Sequence, residues 1–234
     1  MRVYLRHGMH MCLVDDGAIF LDLSANAYCG IDTAAKKSLT RCLVGLATEG
    51  YNGLDLSSEL PKEVEALMQR GLLTSSQTLG RPFSAVNVSM AQGLPFGVGR
   101  LPITDIGITR FVIFASVVAR ASILIRLGRL SALITRLVAL KARIPRSSAT
   151  DWQSAVTLVH SVRRLSALFY SAKSSCLLDS LVLTEMLIRA GHRPTLVVGV
   201  RTKPFLAHAW VLMGECVLND SLEHARTLTP IAAI

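Results

Sequence analysis

The chain has 234 residues, 51% of them hydrophobic, 18% charged and 6% aromatic, with a net charge of +9, long enough for one large or two small domains with cores of their own. Its five cysteines (Cys12, Cys29, Cys42, Cys176, Cys216) are odd in number and lack paired spacing, which excludes a disulfide framework and a zinc pattern and fits a reducing cytoplasm. Charge is uneven, seven Lys/Arg against nine Asp/Glu over residues 1–75 (net −2) and a net of +11 beyond, but no basic stripe interleaved with aromatics accompanies it, so nucleic acid is not an expected partner.

The opening MRVYLRHGMHMCLVDDG has no continuous apolar core, so no signal peptide is expected and the protein reads as cytoplasmic. Residues 1–75 read as a first domain. The stretch from Met9 predicts three short strands, turned at Asp15-Asp16-Gly17 and Ser24-Ala25-Asn26. Asp32 or Thr33 caps a helix expected to reach about Ala47, with Ala35, Leu39, Leu43 and Leu46 on one face. A second helix is expected from Pro61, the favoured first helical position, through Arg70, with Gly71 as its stop.

Residues 76–105 read as a linker, broken by Gly80, Pro82, Gly93, Pro95, Gly97, Gly99 and Pro102. The most hydrophobic region, 106–142, has a longest charge-free run of nine residues, Phe111–Ala119. A membrane span needs about twenty, so none is expected. Arg129, Arg136 and Arg143 recur at heptad spacing, with Leu127, Leu130, Leu133, Ile134 and Leu137 on the other faces, so the region reads either as a pair of core helices with one basic, solvated face or as a docking surface for a partner enzyme or an anionic membrane surface.

Thr150 or Asp151 caps a further helix bearing Trp152, Val156, Val159, Leu165 and Leu168. Next comes SSCLLDSL, where Ser174 or Ser175 is expected to cap an apolar helix that ends at Gly191. Two strands are expected at Thr195–Arg201 and Ala207–Met213, and a third at Glu215–Leu218, making a short antiparallel sheet. Cys176 at a helix start sits where the partial positive charge of unpaired N–H groups favours a thiolate. His208 falls on the second strand and Asp220 just after the third. A nucleophile on a helix, a base on a strand and an orienting carboxylate beyond the next strand is the division of labour of papain-type catalysis. Taken singly, each residue also has a structural reading: core cysteine, satisfied strand histidine, turn aspartate. Residue types alone leave both readings open. His160, His192 and His224 have no comparable context and are expected to be non-catalytic. Lys173 and Asp179 are candidates for substrate contact only, and no metal site is expected.

The stretch Cys176-Leu177, Ser180-Leu181, Gly191, Leu196-Val197, Gly199-Val200, His208-Ala209-Trp210-Val211 and Asn219-Asp220 resembles the transglutaminase-like peptidase of lasso-peptide biosynthesis, the B protein that removes the leader from the precursor. The resemblance spans roughly residues 150–234. It implies Cys176 as nucleophile, His208 as general base and acid, and Asp220 as the residue that orients the imidazole. It also implies a precursor peptide as substrate and an ATP-dependent lasso cyclase as partner. ATP belongs to that partner, because no phosphate-binding motif occurs here.

Phe20-Leu21-Asp22-Leu23, Asn26-Ala27-Tyr28, Gly30-Ile31 and Gly71-Leu72-Leu73 resemble the small winged-helix-like domain that binds leader peptides. Strand addition would be its physical mechanism. The expected edge is Ala27, Tyr28, Cys29, Gly30 and Ile31, with Val64, Leu67 and Met68 forming the side of a groove. The expected architecture is therefore α+β: a winged-helix-like domain at 1–75 and a papain/transglutaminase-like domain at 106–234. Three alternatives remain at this stage. They are acyl transfer to an amine on the same fold, a non-catalytic leader-binding scaffold for the cyclase, and a DNA-binding regulator, which the acidic balance of 1–75 opposes.

Overall fold

A computed structural model describes residues 2–46, 60–94, 107–145, 151–170 and 175–234. The chain divides into two units, Met1–Asn87 and Val88–Ile234, and each is mixed α+β.

The first unit opens with β1 (Tyr4–Arg6), β2 (Met9–Val14), β3 (Gly17–Asp22) and β4 (Ala27–Asp32), followed by α1 (Thr33–Thr40), α2 (Lys62–Gln69), β5 (Leu73–Thr74) and β6 (Gly80–Arg81). The three expected strands are β2, β3 and β4, an antiparallel meander, while β5-β1-β6 form a second sheet. The Asp32 carboxylate accepts the Ala35 N–H at 2.8 Å and caps α1. The helix stops at Thr40, short of the expected Ala47, which lies outside the described residues. Tertiary pairing takes the backbone away: Val3 N–H donates to Cys42 C=O and Val44 N–H to Val3 C=O, both at 2.9 Å. Pro61 stands at the N-cap rather than the first helical position of α2. Gly71, at φ +73°, ends that helix as expected. Leu5, Met11, Phe20, Leu39, Leu43, Val64 and Leu67 fill the core between these elements.

The expected linker over 76–105 is not a separate stretch where it is described. Gly80–Arg81 pairs with β1 inside the first unit, and β7 (Gln92–Gly93) runs parallel to a strand of the second. Two-residue strands carry no alternation to read, and their glycines suggested turns instead. Residues 95–105 lie outside the described residues.

The second unit contains α3 (Ile108–Arg126), α4 (Leu130–Ala142), α5 (Trp152–Phe169), α6 (Cys176–Arg189), β8 (Thr195–Thr202), β9 (Phe205–Met213), β10 (Cys216–Val217), α7 (Leu222–Arg226) and β11 (Thr229–Ala233). Five strands, ordered β11-β8-β9-β10-β7, replace the three expected. Helix α6 packs against α3, α4, α5 and β9, and every residue from Asp179 to Ile188 is buried. That enclosure explains why the apolar residues of α6 are not confined to one stripe. Helix α3 has 19 residues and an 18-residue window of mean hydropathy 1.9, so by length and composition alone it is apolar enough to cross a membrane, a test that the core helix of a globular protein also passes. Phe114, Val117, Val118 and Ala121 of α3 are buried.

The basic face of this region is only partly solvated. Arg120 and Arg136 reach Glu185 of α6, at 2.6 and 3.3 Å, and Arg189 joins them at 3.0 Å. Leu130, Leu133 and Leu137 are buried as expected, whereas Leu127 is exposed. Asp151 caps α5 through Ser154 N–H at 3.0 Å. Val159 and Leu165 of that helix face the core, but Trp152 and Leu168 are exposed.

Candidate active site

Cys176 is the first residue of α6, with Ser175 at the N-cap. Ser175 makes no side-chain cap bond, against expectation, and Ser174 and Lys173 lie outside the described residues. The early N–H groups of α6 therefore keep their partial positive charge beside the sulfur.

His208 sits near the start of β9, opposite Gly199 of β8. Its ring stacks on Trp210 with centroids 6.4 Å apart and planes at 17°. Trp210 is fully buried, and a Cβ at Gly199 would lie 2.6 Å from its ring. The glycine makes room for the indole, and the indole backs the imidazole. Beyond β10, Asp220 completes the group: His208 Nε2 donates to Asp220 Oδ2 at 2.9 Å. That bond leaves Nδ1 of the ring for Cys176, with which His208 also hydrogen-bonds. The three residues named from the sequence thus come together, half-buried, at one site.

Their electrostatics favour an ion pair. The hydrogen bond from His208 is the largest influence on the Cys176 thiol. Burial opposes it, the Ala209 and Leu177 main chain adds to it, and the net effect is a thiol below its ordinary value. Burial pulls His208 down, but its hydrogen bonds to Asp220 and Cys176 outweigh this and push it up to about 9. Burial likewise penalises the Asp220 carboxylate, and the bonds from His208, His224 and Ser221 N–H more than offset that, holding its pKa below the ordinary value. By contrast, burial raises Cys12 to about 11 and also raises Cys42 and Cys216.

A buried polar network behind the triad joins its three supporting elements. Asn219 Nδ2 donates to Asp179 Oδ2 at 3.0 Å and to Ser180 Oγ at 2.9 Å, while its Oδ1 accepts Val211 N–H at 2.8 Å. Ser180 Oγ donates to Ala209 C=O at 2.8 Å, and Tyr170 OH donates to Asp179 Oδ1 at 3.2 Å. Asp179 is therefore a buried strut between α6 and the Asp220 loop, which corrects its reading as a substrate contact. Asn219 fixes the position of its neighbour Asp220 rather than simply making a turn.

The sequence reading also missed His224. Its Nδ1 lies 2.8 Å from Asp220 Oδ2, and its ring meets that of His208 edge-on at 4.7 Å. The i,i+4 spacing of Asp220 and His224 was the available signal. It spoke weakly because α7 is five residues long, too short to show periodicity. His160 on α5 and His192 after α6 take no part in the hydrogen bonds of this site. His208, Asp220 and His224 hold ligand atoms within 4.8 Å of one another, a geometry that could take a metal ion. Here those atoms are engaged in hydrogen bonds with one another.

In the first unit, β4 lies at the end of its sheet, and Ala27–Ile31 are exposed or half-buried. Val64 and Leu67 are 0% and 3% exposed and belong to the core, so they do not line a groove. An apolar helix face in so small a unit is spent on its own core. Met68 remains partly buried at the margin.

A family profile described as the transglutaminase-like superfamily matches residues 115–233, from mid-α3 through β11. The chain is also 42% identical over 62 residues to the microcin J25-processing protein McjB of Escherichia coli, which is 26% of this chain and 30% of that protein. The chain thus matches about a third of the curated relative's length. No solved structure matches it. These findings agree with the resemblance drawn from the sequence and with an α6–β8–β9 arrangement that presents cysteine, histidine and aspartate in order. With the profile covering half of its length and the site inside that half, the chain belongs to the transglutaminase-like superfamily.

Proposed function

We propose that this protein is a cysteine peptidase of lasso-peptide maturation, which binds the leader of a precursor peptide and hydrolyses the leader–core bond. The observation that carries the reading is the grouping of Cys176, at the start of α6, with His208, whose Nε2 lies 2.9 Å from Asp220 Oδ2. The similarity to McjB supports the substrate class.

In this mechanism the Cys176 thiolate attacks the scissile carbonyl, and the Cys176 main-chain N–H at the start of α6 donates to the developing oxyanion. The tetrahedral adduct collapses as His208 gives its proton to the leaving nitrogen, freeing the core peptide with a new amine. Water then loses a proton to His208 and adds to the thioester. Collapse releases the leader with a new carboxylate and restores the thiolate–imidazolium pair. Asp220 fixes the imidazole and stabilises its charge throughout. The core's new amine is the group that an ATP-dependent cyclase would join to an acidic side chain, and in this scheme ATP is used by that partner. The first unit, read as the winged-helix-like leader-binding domain, would hold the leader by strand addition at β4.

The test is incubation of the full chain with a precursor peptide, read by mass spectrometry. Hydrolysis gives two fragments that sum to the precursor plus one water, and Cys176→Ala gives none while still binding precursor. An amide crosslink in place of hydrolysis would move the assignment to acyl transfer. Cleavage by the alanine variant would remove Cys176 as the nucleophile.

A further inference from the structure

Asp220 serves two imidazoles with one oxygen. Oδ2 lies 2.9 Å from His208 Nε2 and 2.8 Å from His224 Nδ1, while Oδ1 accepts the Ser221 N–H at 2.8 Å. A carboxylate oxygen offers two lone pairs. Both on Oδ2 are engaged, so the planar group cannot turn without losing a bond. His224 is itself held firmly. Its N–H donates to Ser221 Oγ at 3.1 Å, the cap of α7. The next residue, Ala225, is buried in the same cluster as Trp210, the residue that backs His208. The two imidazoles, in edge-on contact at 4.7 Å and bonded to the same oxygen, are therefore both tied to one body of packed side chains.

We infer that His224 is a positioning residue: its Nδ1–H holds the Asp220 carboxylate in the orientation that turns His208 toward Cys176. The inference rests on Cys176 being the nucleophile. Oδ2 accepts, so Nδ1 of His224 carries the hydrogen. Without that donor the carboxylate keeps only His208 on Oδ2 and the Ser221 N–H on Oδ1, so it turns more freely about its bond to Cβ and carries the His208 ring with it. The role is to steer through Asp220 rather than to exchange protons with substrate.

The experiment follows alkylation of Cys176 by iodoacetamide across pH in the full-length protein, with the modified residue identified by peptide mass spectrometry. The rate reports the thiolate–imidazolium pair and needs no substrate. Among the described residues, the titratable groups in contact with this pair are Asp220 beyond β10 and His224 of α7. In His224→Ala the thiolate should form at higher pH, slowing alkylation at neutral pH by about tenfold, the size of a one-unit shift. Turnover of precursor should fall by a similar factor with KM unchanged. His224→Asn places an amide N–H close to where Nδ1 stood and should stay within about threefold of the parent, because the donor is retained. A His224→Ala profile that superimposes on the parent's overturns the inference, as does an asparagine variant as slow as the alanine one. If His224→Ala shifts the profile while the parent cleaves no precursor, the positioning role stands and the peptidase reading falls.

Discussion

A thiol held low and an imidazole raised to about 9 define a pH window in which both are charged. Within it the nucleophile is ready and the acid for the leaving amine is in place. Below the window the thiolate is protonated, and above about 9 the imidazolium loses its proton. The kcat/KM for precursor cleavage should therefore hold through neutral pH and fall on an alkaline limb near 9, a limb that belongs to the coupled pair rather than to one residue. In Asp220→Asn the carboxylate that raises His208 is gone, so that limb should move toward the ordinary histidine value, with a lower plateau. An alkaline limb already at the ordinary value in the parent protein would rule out the ion pair. Element order singled out Cys176, His208 and Asp220 in the sequence, with residue types leaving a structural reading of each open, and it was the resemblance of the surrounding motifs that implied their roles. Asp179 and His224 were not legible in this way. The first lies on the apolar helix α6 with no visible partner, and the second depends on α7, whose five residues take their direction from the Ser221 cap and the burial of Ala225.

Elements are held around the site by a different kind of contact. Glu185 of α6 is 2% exposed, and its carboxylate receives Arg120 from α3, Arg136 from α4 and Arg189 from its own helix. Burial alone would raise its pKa, but these arginines outweigh burial and keep it low. Its contribution to stability is thus present above the ordinary glutamate range and lost as pH falls through the lowered value. Glu185→Ala leaves three guanidinium groups facing one another. The variant should lose about 3 kcal/mol, the low end of the range for breaking a buried pair, because the arginines are about a third exposed and partly screened. Both tryptophans, Trp152 and Trp210, lie in the second unit, so denaturant unfolding followed by their fluorescence reads this effect directly. A change under about 0.5 kcal/mol would show the cluster behaving as a surface pair. Periodicity predicted the long helices α3 to α6 and the hairpin β8–β9 well. It could not foresee that α1 ends where Val3 captures the backbone of Cys42 and Val44. Nor could it foresee β11, whose Pro230 argues against a strand until its edge position is known.

On the scale of the whole molecule, the proposed function divides binding from cutting. A leader held by the first unit raises the local concentration of the scissile bond to roughly millimolar, so the second unit need recognise only a few residues around it. Sequence placed the candidate edge at Ala27–Ile31, and register now picks out the backbone groups that face outward. Val14 and Gly17 close a two-residue turn, whose hydrogen bond makes them a bonded pair. Alternation then turns the main-chain groups of Ala18, Phe20 and Asp22 toward β4, where they meet Ile31, Cys29 and Ala27. The N–H of Gly30 consequently points away from β3, and among the described residues no strand pairs with β4 on that side. A Cβ at Gly30 meets no atom within 4 Å, so side chains fit there. Gly30→Pro removes one edge donor and should weaken leader binding about fivefold to tenfold, the worth of one main-chain hydrogen bond. Gly30→Ala keeps the donor and should bind as the parent does. Fluorescence anisotropy with a labelled leader peptide distinguishes them. Equal affinities for the proline and alanine variants would show that the leader does not add to this edge, and the first unit would have to hold it by side chains or not at all.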